Sequence, residues 1–316
     1  MSNARAASAS LTHLGSDKLS KADISREFQL IKERLESEFK DDPKKTELLQ
    51  TLDALSEFEL GRFLIKNKSL SGYWTWYVIL GFNNHSITSP VERYLIERAP
   101  AILATRQRFE IFQSLLTQYI ASNSVVCSLP CGMMADLLTL NLPGEVNEVR
   151  FVGIDLDATV FDLAKALAKQ IKVQTSCEFF QQDAWNLNVK NKFDLITTNG
   201  LNIYEKDDSK VVALYRGMWT ALKNQGRLIC SALTPPPIMT TDCEWDMSKV
   251  DKSDLEASTA IFKVILAATW SNFRSSAKTC EQLREAGFDN IEIYWDQQKM
   301  FPTFLAQKQE RLQSKL

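Results

Sequence analysis

The stretch that decides the fold reads Ser122-Asn-Ser-Val-Val-Cys-Ser-Leu-Pro-Cys-Gly-Met-Met-Ala-Asp-Leu-Leu138. It opens with a short apolar run that is β-branched at its start, breaks at Pro130 and Gly132, and resumes with apolar residues at helical spacing. Such a run, interrupted by proline and glycine, is typical of a strand followed by a tight turn and a helix.

A second unit of the same kind begins at Arg150-Phe-Val-Gly-Ile-Asp-Leu-Asp157. Its apolar residues predict a strand that ends at Asp155, and apolar positions at helical spacing then continue to Ile171. The two units predict β-α-β-α, the opening half of a doubly wound sheet that binds its ligand across the carboxyl ends of the strands. Asp155 follows Gly132 by 23 positions. This is close to the spacing of about 20 residues that puts a carboxylate on a nucleoside ribose.

The rest of the chain divides into a helical N-terminal part and further strands. We predict a disordered tail over 1–20, a helical cap over 21–104 and an α/β domain over 105–316 that carries a lid-like insertion at 234–274. Apolar periodicity predicts helices at 23–40, 44–66, 91–99 and 101–120. Strands are predicted at 177–183, 193–198 and 226–233, with a closing antiparallel pair at 291–295 and 303–306.

Charge and composition narrow the classes of function. The 37 basic and 39 acidic residues nearly balance, and neither half of the chain is basic, as a nucleic-acid-binding protein would normally be. No apolar run approaches the length of a membrane span. The six cysteines include no Cys-x-x-Cys pair and predict free thiols in a reducing, cytoplasmic compartment. Two histidines leave little material for a histidine-based metal site or a Ser-His-Asp triad, so we expect no metal.

The order of the predicted elements resembles the class I S-adenosylmethionine-dependent methyltransferases over roughly residues 105–308. Gly153-Ile-Asp155-Leu-Asp157 resembles the ribose-binding segment of that family, and Phe180-Gln-Gln-Asp183-Ala184 resembles its adenine-binding segment. Later matches follow in the family's order at Phe193-Asp-Leu-Ile, Leu222-Lys-Asn-Gln-Gly226-Arg-Leu, Ala286-Gly-Phe288 and Phe301-Pro-Thr.

The glycine-rich turn matches the family only in part. The family has an acidic residue, then a small residue and Gly-x-Gly. Here Ser128 takes the acidic place, Pro130 and Met134 replace two glycines, and Cys131-Gly132 agree. A catalytically silent S-adenosylmethionine-binding or regulatory module therefore stays open as an alternative. A nicotinamide-dependent oxidoreductase is less favoured, because its Gly-x-Gly-x-x-Gly turn is absent.

The resemblance implies a Rossmann-like, seven-stranded mixed sheet with helices on both faces, and S-adenosylmethionine as cofactor. By position, the expected cofactor-binding residues are Ser128, Pro130, Cys131, Gly132 and Met133 in the turn, Asp155 and Leu156 at the ribose, Asp183 and Ala184 at the adenine, Asn199 beside the methyl group, and Arg106 at the cofactor's carboxylate. Simpler roles stand beside these: a helix cap for Asp155, turn residues for Asp183 and Asn199, and a solvated or ion-paired side chain for Arg106.

In-line methyl transfer depends mainly on holding donor and acceptor in register and needs no nucleophile on the protein. A general base matters only for a hydroxyl or a charged amine, and Tyr204, Glu205 and His85 are the candidates, although each also fits an exposed loop. Asn199-Gly-Leu lacks the Asn/Asp-Pro-Pro-aromatic signature of the DNA enzymes that methylate amino groups. A small-molecule acceptor is therefore expected, and a protein acceptor stays open.

Overall fold

The computed structural model describes residues 18–84, 86–270 and 272–309. The predicted tail, up to residue 17, and His85 lie outside the described residues. Their elements are eleven α-helices and seven strands. The helices are α1 (Ser25–Glu38), α2 (Lys45–Ser56), α3 (Glu59–Asn67), α4 (Gly72–Ile79), α5 (Pro90–Glu97), α6 (Pro100–Tyr119), α7 (Ala135–Leu138), α8 (Thr159–Gln170), α9 (Asp208–Ala221), α10 (Lys252–Thr259) and α11 (Ser276–Ala286).

The strands form one seven-stranded sheet in the order β3-β2-β1-β4-β5-β7-β6. Strands β1 to β5 are parallel, and β7 runs antiparallel to both of its neighbours. The predicted mixed sheet and its closing antiparallel pair are confirmed. The strands are β1 (Val125–Ser128), β2 (Arg150–Asp155), β3 (Ser176–Gln181), β4 (Phe193–Thr198), β5 (Leu222–Ser231), β6 (Phe288–Tyr294) and β7 (Thr303–Lys308).

The sheet core is apolar on both faces of its central strands. All four residues of β1 are buried, and Phe193, Leu228 and Phe304 on neighbouring strands are fully buried. Strands that are covered on both faces have continuous apolar sequences, and for this reason they could be predicted from the sequence. Since burying one such side chain contributes about 1.5–3 kcal/mol, the central strands are rigid supports for the residues at their carboxyl ends.

The chain divides into two compact units. Of the described residues, those from 18 to Arg106 and 246–270 form one unit, and 107–245 and 272–309 form the other. This grouping divides the predicted lid-like insertion at 234–274. Within the first unit, Arg34 Nη2 donates hydrogen bonds to the carbonyls of Val264 and Ile265 at 2.7 and 2.8 Å. Arg98 pairs with Asp254 at 2.7 Å.

Three local features depart from the predicted pattern or add to it. The helix predicted over 44–66 is two helices, because Phe58 is extended and begins α3. The aromatic segment Gly72–Ile79 is the helix α4, and Tyr73, Trp74, Trp76 and Tyr77 are buried in the first unit. The helix after β1 is a single turn, α7, and the chain then runs irregularly through Pro143 and Gly144, which do not favour a helix.

Candidate active site at the carboxyl edge of the sheet

The turn after β1 is fastened to the end of β2 by two backbone amides. The amide of Cys131 donates to the carbonyl of Ile154 at 2.9 Å, and the amide of Gly132 donates to Oδ2 of Asp155 at 2.8 Å. Gly132 and Met134 have φ of 48° and 52°, in the left-handed region. The turn therefore keeps the backbone shape of a glycine-rich loop although Met134 carries a side chain.

Behind the turn, Gly153 of β2 makes close packing possible. A Cβ at this position would lie 2.8 Å from the ring of Phe179 and 3.0 Å from Sγ of Cys131. The side chains of Cys131 and Met133 are buried beneath the turn. These contacts fix the position of the turn above the end of β2.

Asp155 is half-buried at the end of β2, and its two carboxylate oxygens accept from different amides. Oδ2 accepts from Gly132, and Oδ1 accepts from Asp157 at 3.0 Å. Desolvation raises the pKa of Asp155, and the two amides oppose that shift. Asp155 does not cap α8, whose N-cap residue is Ala158; Oδ1 of Asp157 accepts from the amide of Thr159 at 2.9 Å where the helix begins.

Leu156 follows Asp155 directly and is 67% exposed, which only Ile238 exceeds among the large apolar side chains of the described residues. An exposed leucine beside a half-buried carboxylate is a surface that suits a ligand with one flat apolar part and one polar part. A nucleoside has both parts, a base and a ribose.

Asp183 follows β3 and caps a 3₁₀ turn formed by Ala184–Asn186. Its oxygens accept from the amide of Trp185 and from Nδ2 of Asn186, each at 2.9 Å. Asp183 is therefore a turn residue. Because a carboxylate has about four lone-pair sites, it can still accept a hydrogen bond from one further donor. Ala184 is buried at the same place. The neighbouring amide of Gln182 donates to the carbonyl of Asp155 at 2.9 Å, which joins the two strand ends.

Asn199 and Gly200 follow β4, and Gly200 adopts φ +70° before the 3₁₀ turn Leu201–Tyr204. The buried Arg274 holds this turn. Its Nη1 donates to the carbonyl of Asn202 at 2.9 Å and its Nη2 to the carbonyl of Glu205 at 2.7 Å. Its Nε pairs with Asp208 at 2.8 Å. The segment after β4 is therefore a fixed wall of the site.

Of the predicted bases, Tyr204 and Glu205 lie on this wall, and His85 lies outside the described residues. Tyr204 is 46% exposed, yet desolvation is the largest influence on its hydroxyl and raises its pKa, while Arg108 acts in the opposite direction. A neutral phenol at pH 7 can donate a hydrogen bond but is a weak base. The carboxylate of Glu205 accepts from the amide of Asp207 at 2.8 Å and faces Lys210 at 3.8 Å.

Sequence reasoning missed Asp136, which is buried in α7. Its Oδ2 accepts from the hydroxyls of Ser128 at 3.0 Å and Thr197 at 2.6 Å, so it bridges the ends of β1 and β4. Desolvation raises the pKa of Asp136, and the hydroxyls oppose that shift. Asp136 supplies from α7 the carboxylate that the family pattern puts at Ser128. The sequence does contain a sign of this role, because Asp136 is an acid among apolar residues, eight positions after Ser128, where the family has its acid.

The predicted residue Arg106 belongs to the first unit. Its Nε donates to the carbonyl of Val78 at 2.7 Å, and its guanidinium lies 4.1 Å from the ring centroid of Phe82. Arg108, two residues later, belongs to the second unit and is buried beside Gly200. Sequence reasoning missed it too, although it shares a helical face with the buried Phe112 and Leu115, an unusual place for a charge.

A cavity of about 660 Å³ lies at the opposite, amino-terminal edge of the sheet, lined by residues 146–150 and 174–176 among others. Ligands of doubly wound sheets bind at the carboxyl ends of the strands. Geometry at that carboxyl edge, rather than cavity volume, therefore identifies the candidate site.

Comparison with known proteins agrees with this geometry. A crystal structure described as a possible exported protein from Bordetella parapertussis is 36% identical, covers 93% of this chain and 98% of its own, and superposes with a TM-score of 0.86. A family profile described as "Methyltransferase domain" matches residues 127–226, which run from β1 into β5. The chain contains a methyltransferase domain and has the fold of the class I S-adenosylmethionine-dependent methyltransferases. The matched residues contain both strand-end acids, Asp155 and Asp183.

More distant methyltransferases share the fold. The magnesium protoporphyrin IX methyltransferase of Synechocystis PCC 6803, solved with bound S-adenosylhomocysteine, is 15% identical over 75% of this chain and 94% of its own, with a TM-score of 0.50. The S-adenosylmethionine-dependent methyltransferase SibL is 12% identical over 84% and 76%, with a TM-score of 0.51. No functionally curated protein matches the chain in sequence. Among the described residues of this methyltransferase, no helix has the length and apolar character needed to span a membrane.

Proposed function

We propose that the chain transfers the methyl group of S-adenosylmethionine to a small-molecule acceptor at the carboxyl edge of β1, β2 and β4. One observation carries the proposal: the amide of Gly132 is bonded to Asp155 at 2.8 Å, so the turn and the strand-end carboxylate form one rigid structure. The parallel order β3-β2-β1-β4 then puts Asp183 and Asn199 on either side of it. A rigid donor site of this kind suits a reaction that depends on alignment.

The residues of the chain fit this cofactor in three places. The half-buried carboxylate of Asp155 has lone pairs left to accept from a ribose diol, and the exposed side chain of Leu156 offers an apolar surface for adenine. Asp183 and Ala184 would bind the exocyclic amine and a ring nitrogen of the adenine. The buried carboxylate of Asp136, held between Ser128 and Thr197, favours a positive group nearby, as on the amino-acid part of the cofactor.

The cofactor, when bound, supplies an electrophilic sulfonium methyl group. The acceptor heteroatom attacks that methyl with its lone pair, the methyl–sulfur bond breaks, and its electron pair stays on sulfur as a thioether. The chain contributes a fixed donor site on one side and the wall held by Arg274 on the other. Holding the two reactants together is worth up to roughly 7–11 kcal/mol of the barrier.

The acceptor's proton, if it carries one, needs a base. Tyr204 lies nearest in the chain to the Asn199-Gly200 corner, but its raised pKa makes it a hydrogen-bond donor at neutral pH. The carboxylate of Glu205 is engaged by Asp207 and Lys210. We infer that the acceptor is an atom that loses its proton to water, or carries none, and that Tyr204 orients it. The near-balance of charge over the chain favours a small molecule over a nucleic acid.

A second candidate function has a specific observation behind it. Met134 holds the left-handed place of a family glycine, and its side chain is fully buried. If these departures block methyl transfer, the chain is an S-adenosylmethionine-binding module without turnover. Cofactor binding with no turnover on any acceptor would identify that function.

We also propose that the protein works in the cytoplasm. All six cysteines are free thiols, and four of them are buried. Fractionation of cells that express the native gene checks this. Recovery with cytoplasmic markers is expected, and recovery with secreted proteins would contradict the proposal.

The test of the proposed function is turnover of S-adenosylmethionine that carries a labelled methyl group. The full chain is incubated with pools of small metabolites and, separately, with protein extracts, and labelled product is separated by mass. Labelled small molecules are expected. Label in protein alone would overturn the acceptor class, and binding without any label would support the silent module.

A further inference from the structure

Arg108 is buried at a place where its charge has no bonded partner. It lies on α6, is 7% exposed, and shares its helix face with Phe112 and Leu115, which are also buried. Its Nε is buried without a hydrogen-bond partner. Within the part of the chain that the structure describes, its guanidinium takes part in no hydrogen bond or ion pair. An unpaired buried cation is expensive, so its presence calls for an explanation.

The surroundings of Arg108 do not neutralise it directly. Asp296, the acid whose charge acts on Arg108, accepts from the amides of Gln298, Met300 and Phe301 at 3.0, 3.2 and 2.7 Å. Its carboxylate is therefore occupied. Arg108 lies 4.8 Å from the ring centroid of Phe301, a cation–π contact that supports one face of the guanidinium and leaves its edge free.

That edge faces the Asn199-Gly200 corner. A Cβ built on Gly200 would lie 3.7 Å from Nη1 of Arg108, and Gly200 has no side chain to fill this space. Burial lowers the pKa of Arg108 to about 10, which still leaves it protonated at neutral pH. The corner therefore presents a permanent, desolvated positive charge with free N–H groups in a planar fork.

A planar fork of N–H donors matches a carboxylate, which it can bind through two parallel hydrogen bonds. We propose that Arg108 binds a carboxylate group of a ligand beside Gly200, at the carboxyl edge of β4. The inference rests on the proposed function, which puts two sources of a carboxylate at this edge: the amino-acid part of the cofactor and the methyl acceptor.

Calorimetric titrations separate the two sources. S-adenosylhomocysteine is compared with S-adenosyl-3-thiopropylamine, which differs only by lacking the carboxylate, on the wild-type chain and on R108M, R108K and R106M. If the cofactor is the source, R108M weakens S-adenosylhomocysteine about tenfold or more and leaves the decarboxylated analogue unchanged, as expected for a charge-assisted bond. The affinity of R108K for S-adenosylhomocysteine should lie between those of the wild type and R108M, because lysine keeps the charge but lacks the planar fork of donors.

If the acceptor is the source of the carboxylate, R108M and the wild type bind S-adenosylhomocysteine with the same affinity. Benzoate then binds the S-adenosylhomocysteine-saturated wild-type chain better than benzamide does, and R108M abolishes that preference. R216M is the matched control, because Arg216 is exposed and, among the described residues, is bonded only to the carbonyl of Glu285. Thermal melting of the unliganded variants gives a further readout: R108M should melt at or above the wild-type temperature, since it removes an unpaired buried charge.

The inference is overturned if the wild-type chain binds S-adenosylhomocysteine and R108M changes neither titration. It is also overturned if R106M, rather than R108M, loses affinity for S-adenosylhomocysteine. A large fall in the melting temperature of R108M with unchanged affinities would assign a structural role. Failure of the wild-type chain to bind S-adenosylhomocysteine at all would instead count against the proposed function.

Discussion

The hydroxyl of Ser128 donates to Oδ2 of Asp136 at 3.0 Å, so the carboxylate that the family carries at the end of β1 here comes from the short helix α7. The acid and the small polar residue have exchanged places. The exchange is testable: S128D would put two carboxylates about one hydrogen-bond length apart in a buried place and should lower the free energy of unfolding by about 3 kcal/mol or more. Urea denaturation measures this loss.

The double variant S128D/D136S restores one carboxylate and one hydroxyl. It should recover the free energy of unfolding to within about 1 kcal/mol of the wild type and keep the affinity for S-adenosylhomocysteine. If the double variant is no more stable than S128D alone, the two positions are not equivalent and the exchange is refuted.

The buried carboxylate of Asp136 should make stability depend on pH. Desolvation raises its pKa in the folded state above the unfolded value of about 3.9. The folded state therefore binds this proton more tightly, and the stabilisation is present below about pH 4 and is lost as pH rises through the folded-state pKa. Relative to the wild type, D136N should thus gain stability as pH increases from 4 to 8 in urea denaturation. D162N, at an exposed site, is the control, and parallel curves for D136N and the wild type would contradict the prediction.

Gly153 should not tolerate a methyl group. In G153A the added Cβ would meet the ring of Phe179 at 2.8 Å and Sγ of Cys131 at 3.0 Å, and the overpacking should cost about 1–3 kcal/mol. Because Cys131 belongs to the turn, affinity for S-adenosylhomocysteine should fall as well. G217A is the matched control: nothing lies within 4 Å of its Cβ in helix α9, and it should stabilise the chain by about 0.5–1 kcal/mol. Equal effects of the two variants would show that packing at Gly153 does not matter.

Arg274 should be needed for the wall after β4. R274M leaves the carbonyl of Asn202 without its buried donor and should cost about 2–4 kcal/mol in thermal or chemical denaturation. The exposed R216M variant should stay within about 0.5 kcal/mol of the wild type. Hydrogen exchange then locates the effect: faster exchange is expected over 200–206. Unchanged exchange there would show that Arg274 does not hold the wall.

The sequence predicted the sheet because its central strands are covered on both faces and so carry unbroken apolar runs. The carboxylate of Asp155 could be placed at the end of β2 for the same reason, and its bond to Gly132 follows from the adjacency of β1 and β2. Leu156 could be named beside it from the resemblance, but its exposure could not be predicted, because exposure depends on the turn that follows.

Contacts between residues far apart in the chain could not be predicted from the sequence. Asp136 meets Thr197 across 61 positions, and Arg274 holds carbonyls about 70 positions earlier, and no local pattern encodes such pairs. The resemblance points to Arg106, whereas the helical face that Arg108 shares with Phe112 predicts burial of Arg108. The sequence pattern does not show whether an acid pairs with Arg108, and in the described part of the chain none does.

The most direct test of the account is a calorimetric titration of S-adenosylhomocysteine into the wild-type chain and D155N, with NAD as the comparison ligand. Asparagine keeps an acceptor for one of the two amides but loses the charge that binds the ribose hydroxyls. The account predicts that the wild type binds S-adenosylhomocysteine and not NAD, and that D155N binds it about tenfold to hundredfold more weakly while melting cooperatively. Equal affinity of D155N and the wild type, or preference for NAD, would contradict it.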